Sequence, residues 1–275
     1  MNEHSIAVVI PTYNRLHTLK RAIQSVLSQQ RPPDEIIVVD DGSTDGTQTW
    51  LSTLDSGIRV ITQQNRGVSA ARNVGIAAAR SQWLALLDSD DEWLPAKLER
   101  QLQSVDSSTQ LCHTDEIWIR NGVRVNPHKK HKKRGGFIFS YCLPMCAISP
   151  SSVLMRKSLF DAVGLFDESL PACEDYDLWL RICSQYPVVY VDEPLLKKYG
   201  GHDDQLSRKH WGMDRFRVKA LQMLIDDGEL DEVQRAQVPD VLNVKLEILI
   251  QGAEKRQNLE FVEIWQQQLQ KNFPS

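Results

Sequence analysis

The 275-residue chain lacks most of what a membrane-spanning, secreted or disulfide-built protein needs. No segment approaches 18 consecutive apolar residues, the length at which a helix begins to cross a bilayer. The opening, MNEHSIAVVIPTYN, has neither the long apolar region nor the cleavage site of a signal peptide. Cysteine is scarce: Cys112, Cys142, Cys146, Cys173 and Cys183 are odd in number and contain no CxxC pair. Reduced thiols in the cytoplasm are therefore expected, with peripheral contact at the inner face of a membrane left open. Neither sign of charge dominates, since 32 basic and 36 acidic residues leave a net charge of -4, and nothing global points to nucleic acid. Internal repeats are absent, as are a GxGxxG after the first apolar run and a Walker A sequence, which disfavours the common dinucleotide and triphosphate machines.

What is present begins with LALLDSDDEWL, Leu84 to Leu94. An apolar run ends there in three carboxylates, Asp88, Asp90 and Asp91, followed by a helix expected from about Pro95. A strand covered on both faces is nearly all apolar, so acids at its carboxyl end mark the rim where open α/β sheets bind ligands. Oxygen ligands of this kind suit Mg2+ or Mn2+.

The first hundred residues repeat the pattern. Strands are expected at Ile6–Ile10, Glu35–Val39, Ile58–Thr62 and Gln82–Leu87, and helices at Leu16–Leu27, from Asp45 towards Leu54, and at Val68–Ala79. Leu16, Leu19, Ile23, Val26 and Leu27 form the apolar face of the first helix. This alternation is that of an open α/β sheet, with Tyr13, Asp40, Asp41, Arg72 and Asp88 to Asp91 near its carboxyl edge. The Tyr13 ring offers a face to a base, and the Asp41 carboxylate can accept from a base imide or a ribose hydroxyl. Arg72 meets either a phosphate or Asp40.

Four pieces in order, VVIPTYNR (8–15), VVDDGSTDGT (38–47), NRGVSAARNVG (65–75) and LLDSDD (86–91), resemble the family 2 glycosyltransferases, and PACEDYDLWLRI (171–182) resumes the likeness. The resemblance implies a GT-A-like open mixed sheet flanked by helices, with a C-terminal helical extension. It implies transfer of a sugar from a nucleoside diphosphate sugar, UDP by default, to an acceptor hydroxyl with inversion. Pro11, Tyr13, Asp40, Asp41, Arg72, Asp88 and Ser89 would then surround the donor. Asp90 would hold Mg2+ or Mn2+, with His202 able to join it, and Asp175, beside Glu174, would be the general base. The acceptor would be a glycan or a lipid-linked intermediate. A sugar nucleotidyltransferase and a non-catalytic nucleotide-sugar binding protein are the alternatives.

In the second half, a strand is expected at Leu111–Arg120, then the basic run HKKHKKRGG (128–136), read as a solvated loop or as a contact for an anionic acceptor or lipid surface. A short helix within Phe137–Met145, a strand at Ser151–Met155, and short strands at Val188–Val191 and Leu195–Tyr199 follow. Glu174, Asp175 and Asp177 open a helix, where first-turn acids also suit the dipole, and Tyr176 and Trp179 offer faces for a sugar. Gly200 to Ser207 reads as a glycine-hinged loop. Helices are expected at Arg208–Asp226, Leu230–Gln251, interrupted near Pro239, and Ala253–Lys271. The units implied are a donor half (1–105), an acceptor half (106–206) and a helical extension or dimer surface (207–275).

Overall fold

The computed structural model describes residues 4–54, 57–201, 210–227 and 229–271. Strands β1 (Ile6–Thr12), β2 (Glu35–Asp40), β3 (Ile58–Thr62) and β4 (Trp83–Leu86) are parallel and lie in the order β3-β2-β1-β4. Helices α1 (Leu16–Leu27), α2 (Thr47–Leu51) and α3 (Val68–Ala78) connect them. Every residue of β1 is buried, as a strand covered on both faces requires.

Beyond β4 the sheet becomes mixed. It continues through β8 (Val153–Arg156), β6 (Leu111–Arg120), β9 (Val188–Gly200) and β5 (Glu92–Trp93), with β7 (Val123–Val125) hairpinned onto β6. β8 is antiparallel to both β4 and β6, β9 is parallel to β6, and β5 is antiparallel to β9. Helices α4 (Lys97–Ser104), α5 (Phe139–Cys142), α6 (Leu159–Val163) and α7 (Glu174–Gln185) complete this part, and α8 (Asp214–Asp227), α9 (Glu232–Lys255) and α10 (Leu259–Lys271) follow. Val218, Leu221, Leu242, Leu246 and Trp265 from these last helices share one apolar core with Phe139, Leu178 and Ile182.

Several expectations are corrected. Leu27 is exposed, because the buried stripe of α1 is Leu19, Ala22, Ile23 and Val26, and Leu27 falls to its side. Trp93 lies in the two-residue strand β5 instead of opening a helix, which begins at Lys97. β9 is one strand of 13 residues instead of two, irregularities in its pairing with β6 absorbing the polar break at Asp192 to Pro194. α9 runs unbroken through Pro239 and includes Gly252. Proline removes a backbone donor there, but burial of Val238, Leu242, Leu246 and Leu249 along the same helix holds it together.

Candidate active site

Parallel register places the ends of β1, β2 and β4 on one edge, with Thr12 opposite Asp40 and Val9 opposite Leu86. Tyr13 stands at this rim with 45% of its surface exposed, so its ring is open to a planar ligand. Pro11, by contrast, is buried inside β1 opposite Val39, and Ser89 is also buried. Asp40 is fully buried; its Oδ1 accepts from the Ser43 amide at 3.2 Å, while Oδ2 has no hydrogen-bond partner. Both oxygens of Asp41 are engaged by the chain itself. Oδ1 accepts from Gln63 Nε2 at 2.7 Å and the Arg66 amide at 2.9 Å, and Oδ2 from the Gly67 amide at 2.9 Å. Gly42, with φ of +81° and only 3.1 Å between a would-be Cβ and the Asn65 nitrogen, supplies the turn that makes this approach. Asp41 thus anchors the loop leading into α3.

The three acids after β4 have separate surroundings. Asp88 keeps 27% of its side chain exposed and accepts from Arg72 Nη2 at 2.7 Å. Asp90 is 20% exposed and pairs with Arg15 Nη1 at 2.6 Å. Asp91 turns inward, accepting from Ser151 Oγ at 2.6 Å and the Tyr199 amide at 2.9 Å. Burial, with Asp90 and Asp88 nearby, pushes the Asp91 pKa well above the carboxylate range. It clamps three chain segments together, so the outward acids are Asp88 and Asp90.

Arg72 is not paired with Asp40, one of its two expected partners. Nearly buried, it donates to Asp88 and, through Nη1, to Glu174 Oε1 at 2.6 Å. One turn on, Gly75 presses α3 against the sheet, since a Cβ there would fall 2.3 Å from Val9 Cγ1. Burial works against the guanidinium charge, yet the carboxylates of Asp88 and Glu174 hold its pKa above the ordinary arginine value. Glu174 is consequently a buried counter-ion.

Its neighbour Asp175 is half-buried, with Oδ1 accepting from the Tyr176 amide at 2.7 Å and Oδ2 from the Cys146 thiol at 3.2 Å. Tyr176 and Trp179 do not offer faces to a sugar. Both are buried; the Tyr176 hydroxyl donates to the Leu143 carbonyl and Trp179 packs edge-on against Phe166. Aromatic residues one and four positions after Asp175 turn into the core because α7 buries that side.

Three contributors escaped sequence reasoning: Arg15, Cys146 and Lys198. Lys198 Nζ donates to Ser149 Oγ at 2.7 Å. Burial opposes its charge, but Glu116, Asp91, Cys146 and Asp175 around it hold the pKa above the usual lysine value. The signal was strand alternation: Lys197 and Lys198 point to opposite faces of β9, the first reaching Glu92 at 2.8 Å. The basic run is also not wholly solvated. Lys133 is buried, 3.3 Å from Glu116, and donates to the Ala147 carbonyl at 2.9 Å. Burial alone would raise the Glu116 pKa; Lys133 and Lys198 bring it down to about 2.

Among the described residues no three His, Cys, Asp or Glu side chains converge as a metal site, and His202 lies outside those residues. A single outward carboxylate such as Asp90 nevertheless fits Mg2+ or Mn2+, which take one or two carboxylates and complete their shell with substrate phosphates and water.

The model of the family described as "Glycosyl transferase family 2" matches residues 7–164. An uncharacterized glycosyltransferase of Rickettsia conorii is 34% identical over 217 residues, covering 74% of this chain and 35% of that protein. The UDP-Glc:alpha-D-GlcNAc-diphosphoundecaprenol beta-1,3-glucosyltransferase WfgD of Escherichia coli is 30% identical over 185 residues, 66% of this chain and 71% of its own. This chain spans 35%, 65% and 63% of three Rickettsia relatives. In structure it resembles the mannosyltransferase PcManGT of Pyrobaculum calidifontis in complex with GDP-Man and Mn2+, with a TM-score of 0.62 and 16% identity over 97% of this chain and 83% of that one. The shared architecture is the GT-A-like mixed sheet flanked by helices.

Proposed function

The chain belongs to the family 2 glycosyltransferases, and from that premise we propose that it moves a sugar from a nucleoside diphosphate sugar to an acceptor hydroxyl with inversion, in the synthesis of a surface glycan or glycoconjugate. A UDP-sugar is the favoured donor, in keeping with the name of WfgD, and PcManGT's GDP-Man marks the alternative. The observation that carries this reading is the Asp88–Arg72–Glu174 bridge. It ties the donor edge of the sheet to the first turn of α7, where Asp175 remains half-buried beside it.

In this reading residues 1–105 hold the donor, residues 106–206 the acceptor, and residues 207–275 extend the acceptor side. Tyr13 stacks on the base, Asp88 faces the ribose, and the buried Asp40 braces the turn at Ser43 beneath the nucleotide. Asp41 acts through the loop it anchors. The acceptor oxygen attacks the anomeric carbon from the face opposite the diphosphate. Asp175 takes its proton as the new bond forms, and the bond to the diphosphate oxygen breaks. Asp175 contributes by placing the acceptor oxygen and relieving its proton during attack. Cys146 and the Tyr176 amide hold the carboxylate in one orientation. A divalent cation held by Asp90, and by His202 if it reaches, would neutralise charge on the leaving diphosphate.

The test is Asp175→Asn. It keeps the side chain's size but cannot take a proton, so binding of UDP with Mn2+ should persist while transfer falls by roughly 10² to 10⁴. Near-parental turnover with a verified acceptor would place the base elsewhere. An equal loss of nucleotide affinity would assign Asp175 to the donor site.

A further inference from the structure

A 570 Å³ cavity opens between the basic segment at Lys130 and His131, the turn at Pro144 and Met145, and helices α8 and α9. Its size is that of a small-molecule site. One wall is aliphatic. Val241, Val244 and Ile248 line it at helical spacing, and Val244 and Ile248 are 55% and 52% exposed although the opposite stripe of α9 is buried. Cations border this aliphatic stripe. Lys130 lines the cavity from the basic segment, on which Lys129, Lys132 and Arg134 are exposed; Arg217 lines it from α8, and Lys245, next to Val244, lines it from α9 itself.

Lys245 Nζ donates to the Pro144 carbonyl at 3.0 Å and lies 3.3 Å from Asp214, which Arg217 Nη1 also meets at 2.8 Å. Asp214 therefore answers two cations at once, and the buried Arg217 Nε has no hydrogen-bond partner. Asp240 is the second acid in the lining, and with Asp214 it leaves the surrounding cations in excess. An apolar stripe bordered by cations suits a ligand with an anionic head and an apolar chain.

The cavity adjoins Asp175 along two chain paths. Met145 precedes Cys146, whose thiol touches Asp175. Met213, just before Asp214, accepts from the thiol of Cys173, the residue that enters α7 ahead of Glu174 and Asp175. The family match ends at residue 164, so the α8 and α9 walls lie outside it.

We propose that this cavity seats the carrier end of the acceptor, a phosphorylated apolar chain. Its phosphate lies against Lys130, Arg217 and Lys245, and its first apolar units lie along Val241, Val244 and Ile248. The assignment to the acceptor rests on the reading of Asp175 as the base; binding in the cavity is measured apart from it. The probe is monomeric farnesyl diphosphate, titrated calorimetrically into the full chain in EDTA so that no divalent cation recruits it to the donor edge. Inorganic diphosphate and farnesol are the part-ligands. Farnesyl diphosphate should bind at least tenfold tighter than either. Val244→Ser with Ile248→Ser, both on exposed positions, should weaken it by roughly tenfold while UDP binding with Mn2+ and the melting temperature stay as in the parent. Equal affinity for farnesyl diphosphate and farnesol, or for parent and double variant, would overturn the proposal. So would binding only to vesicles of phosphatidylglycerol, which would assign the surface to a membrane. If the probe binds as expected but Asp175→Asn keeps full turnover, the cavity stands and the catalytic assignment fails.

Discussion

Replacing Arg72 by methionine tests whether the bridge across the site is structural. Arg72 and Glu174 have side chains 3% and 5% exposed, so removing the guanidinium leaves the Glu174 carboxylate buried without its partner. Such breakage of a buried pair costs roughly 3–5 kcal/mol. The Asp88 arm adds less, since that carboxylate is 27% exposed and water can take over. At roughly 2–4 °C per kcal/mol for a chain of this size, the melting temperature should fall by roughly 6–20 °C. Arg72→Met combined with Glu174→Leu removes both charges, and because apolar replacement of a whole buried pair is often neutral, most of the loss should return. Transfer should not return with it, because Asp88 and the start of α7 are no longer tied together. Scanning calorimetry on the two variants, with transfer rates on the refolded double variant, separates these effects. A single variant that melts within about 2 °C of the parent, or a double variant that melts no higher than the single one, would refute the bridge as the element that holds the two edges in place.

Three other outcomes are open to measurement. Tyr13→Ala should weaken UDP binding with little change in melting, because the ring is exposed, whereas Asp41→Ala should lower both by releasing the 63–67 loop; calorimetry on the pair distinguishes a ligand contact from a loop anchor. Cys146→Ala should reduce transfer without altering donor affinity, and Cys146→Ser, which keeps a donor for Asp175 Oδ2, should recover most of the rate; equal rates in both variants would remove Cys146 from the positioning of the base. His113 is held neutral, burial and then Lys133 lowering its pKa to about 4. Its folded value lies below the unfolded value of about 6.5, so the unfolded chain binds more protons between them, and up to about 3 kcal/mol of stability should be lost as pH falls through that window. The cause is visible: Nε2 lies 2.8 Å from the Arg134 carbonyl, and the buried Nδ1 has no acceptor for a second proton. Urea melts of His113→Gln that keep the parental pH slope between 6.5 and 4 would show that another group is responsible.

Strands β1, β2 and β4 were legible because each is buried on both faces and written as a nearly unbroken apolar run closed by turn residues, whereas the half-exposed edge strand β3 was legible from its β-branched residues. Ile6 to Ile10 and Ile58 to Thr62 needed no partner to be recognised. The two residues of β5 carry no period, and they are a strand only because Lys197 and Leu196 of β9 lie beside them, a hundred residues away. The same dependence explains Pro239, where local chemistry argues for a break and the buried face of α9 overrules it.

At the site, the residue types were legible and their partners were not. Twice the structure splits two neighbouring acids, at 90–91 and 174–175, between different surroundings, whereas Asp40 and Asp41 both turn inward. Successive side chains on a strand end or a helix start leave the backbone in different directions, so one meets the protein and the other the rim. Which one turns inward depends on groups far along the chain: Tyr199 and Ser151 for Asp91, and Arg72 for Glu174. The inward member is not idle. By engaging Arg72, Glu174 fixes the helix turn from which Asp175 projects, and by clamping β9, Asp91 brings Lys198 to the loop that carries Cys146. The pairs at 90–91 and 174–175 thus divide into a carboxylate that builds the rim and one that is left there to act, and substitution of the builder should injure folding before chemistry, whereas substitution of its neighbour should do the reverse.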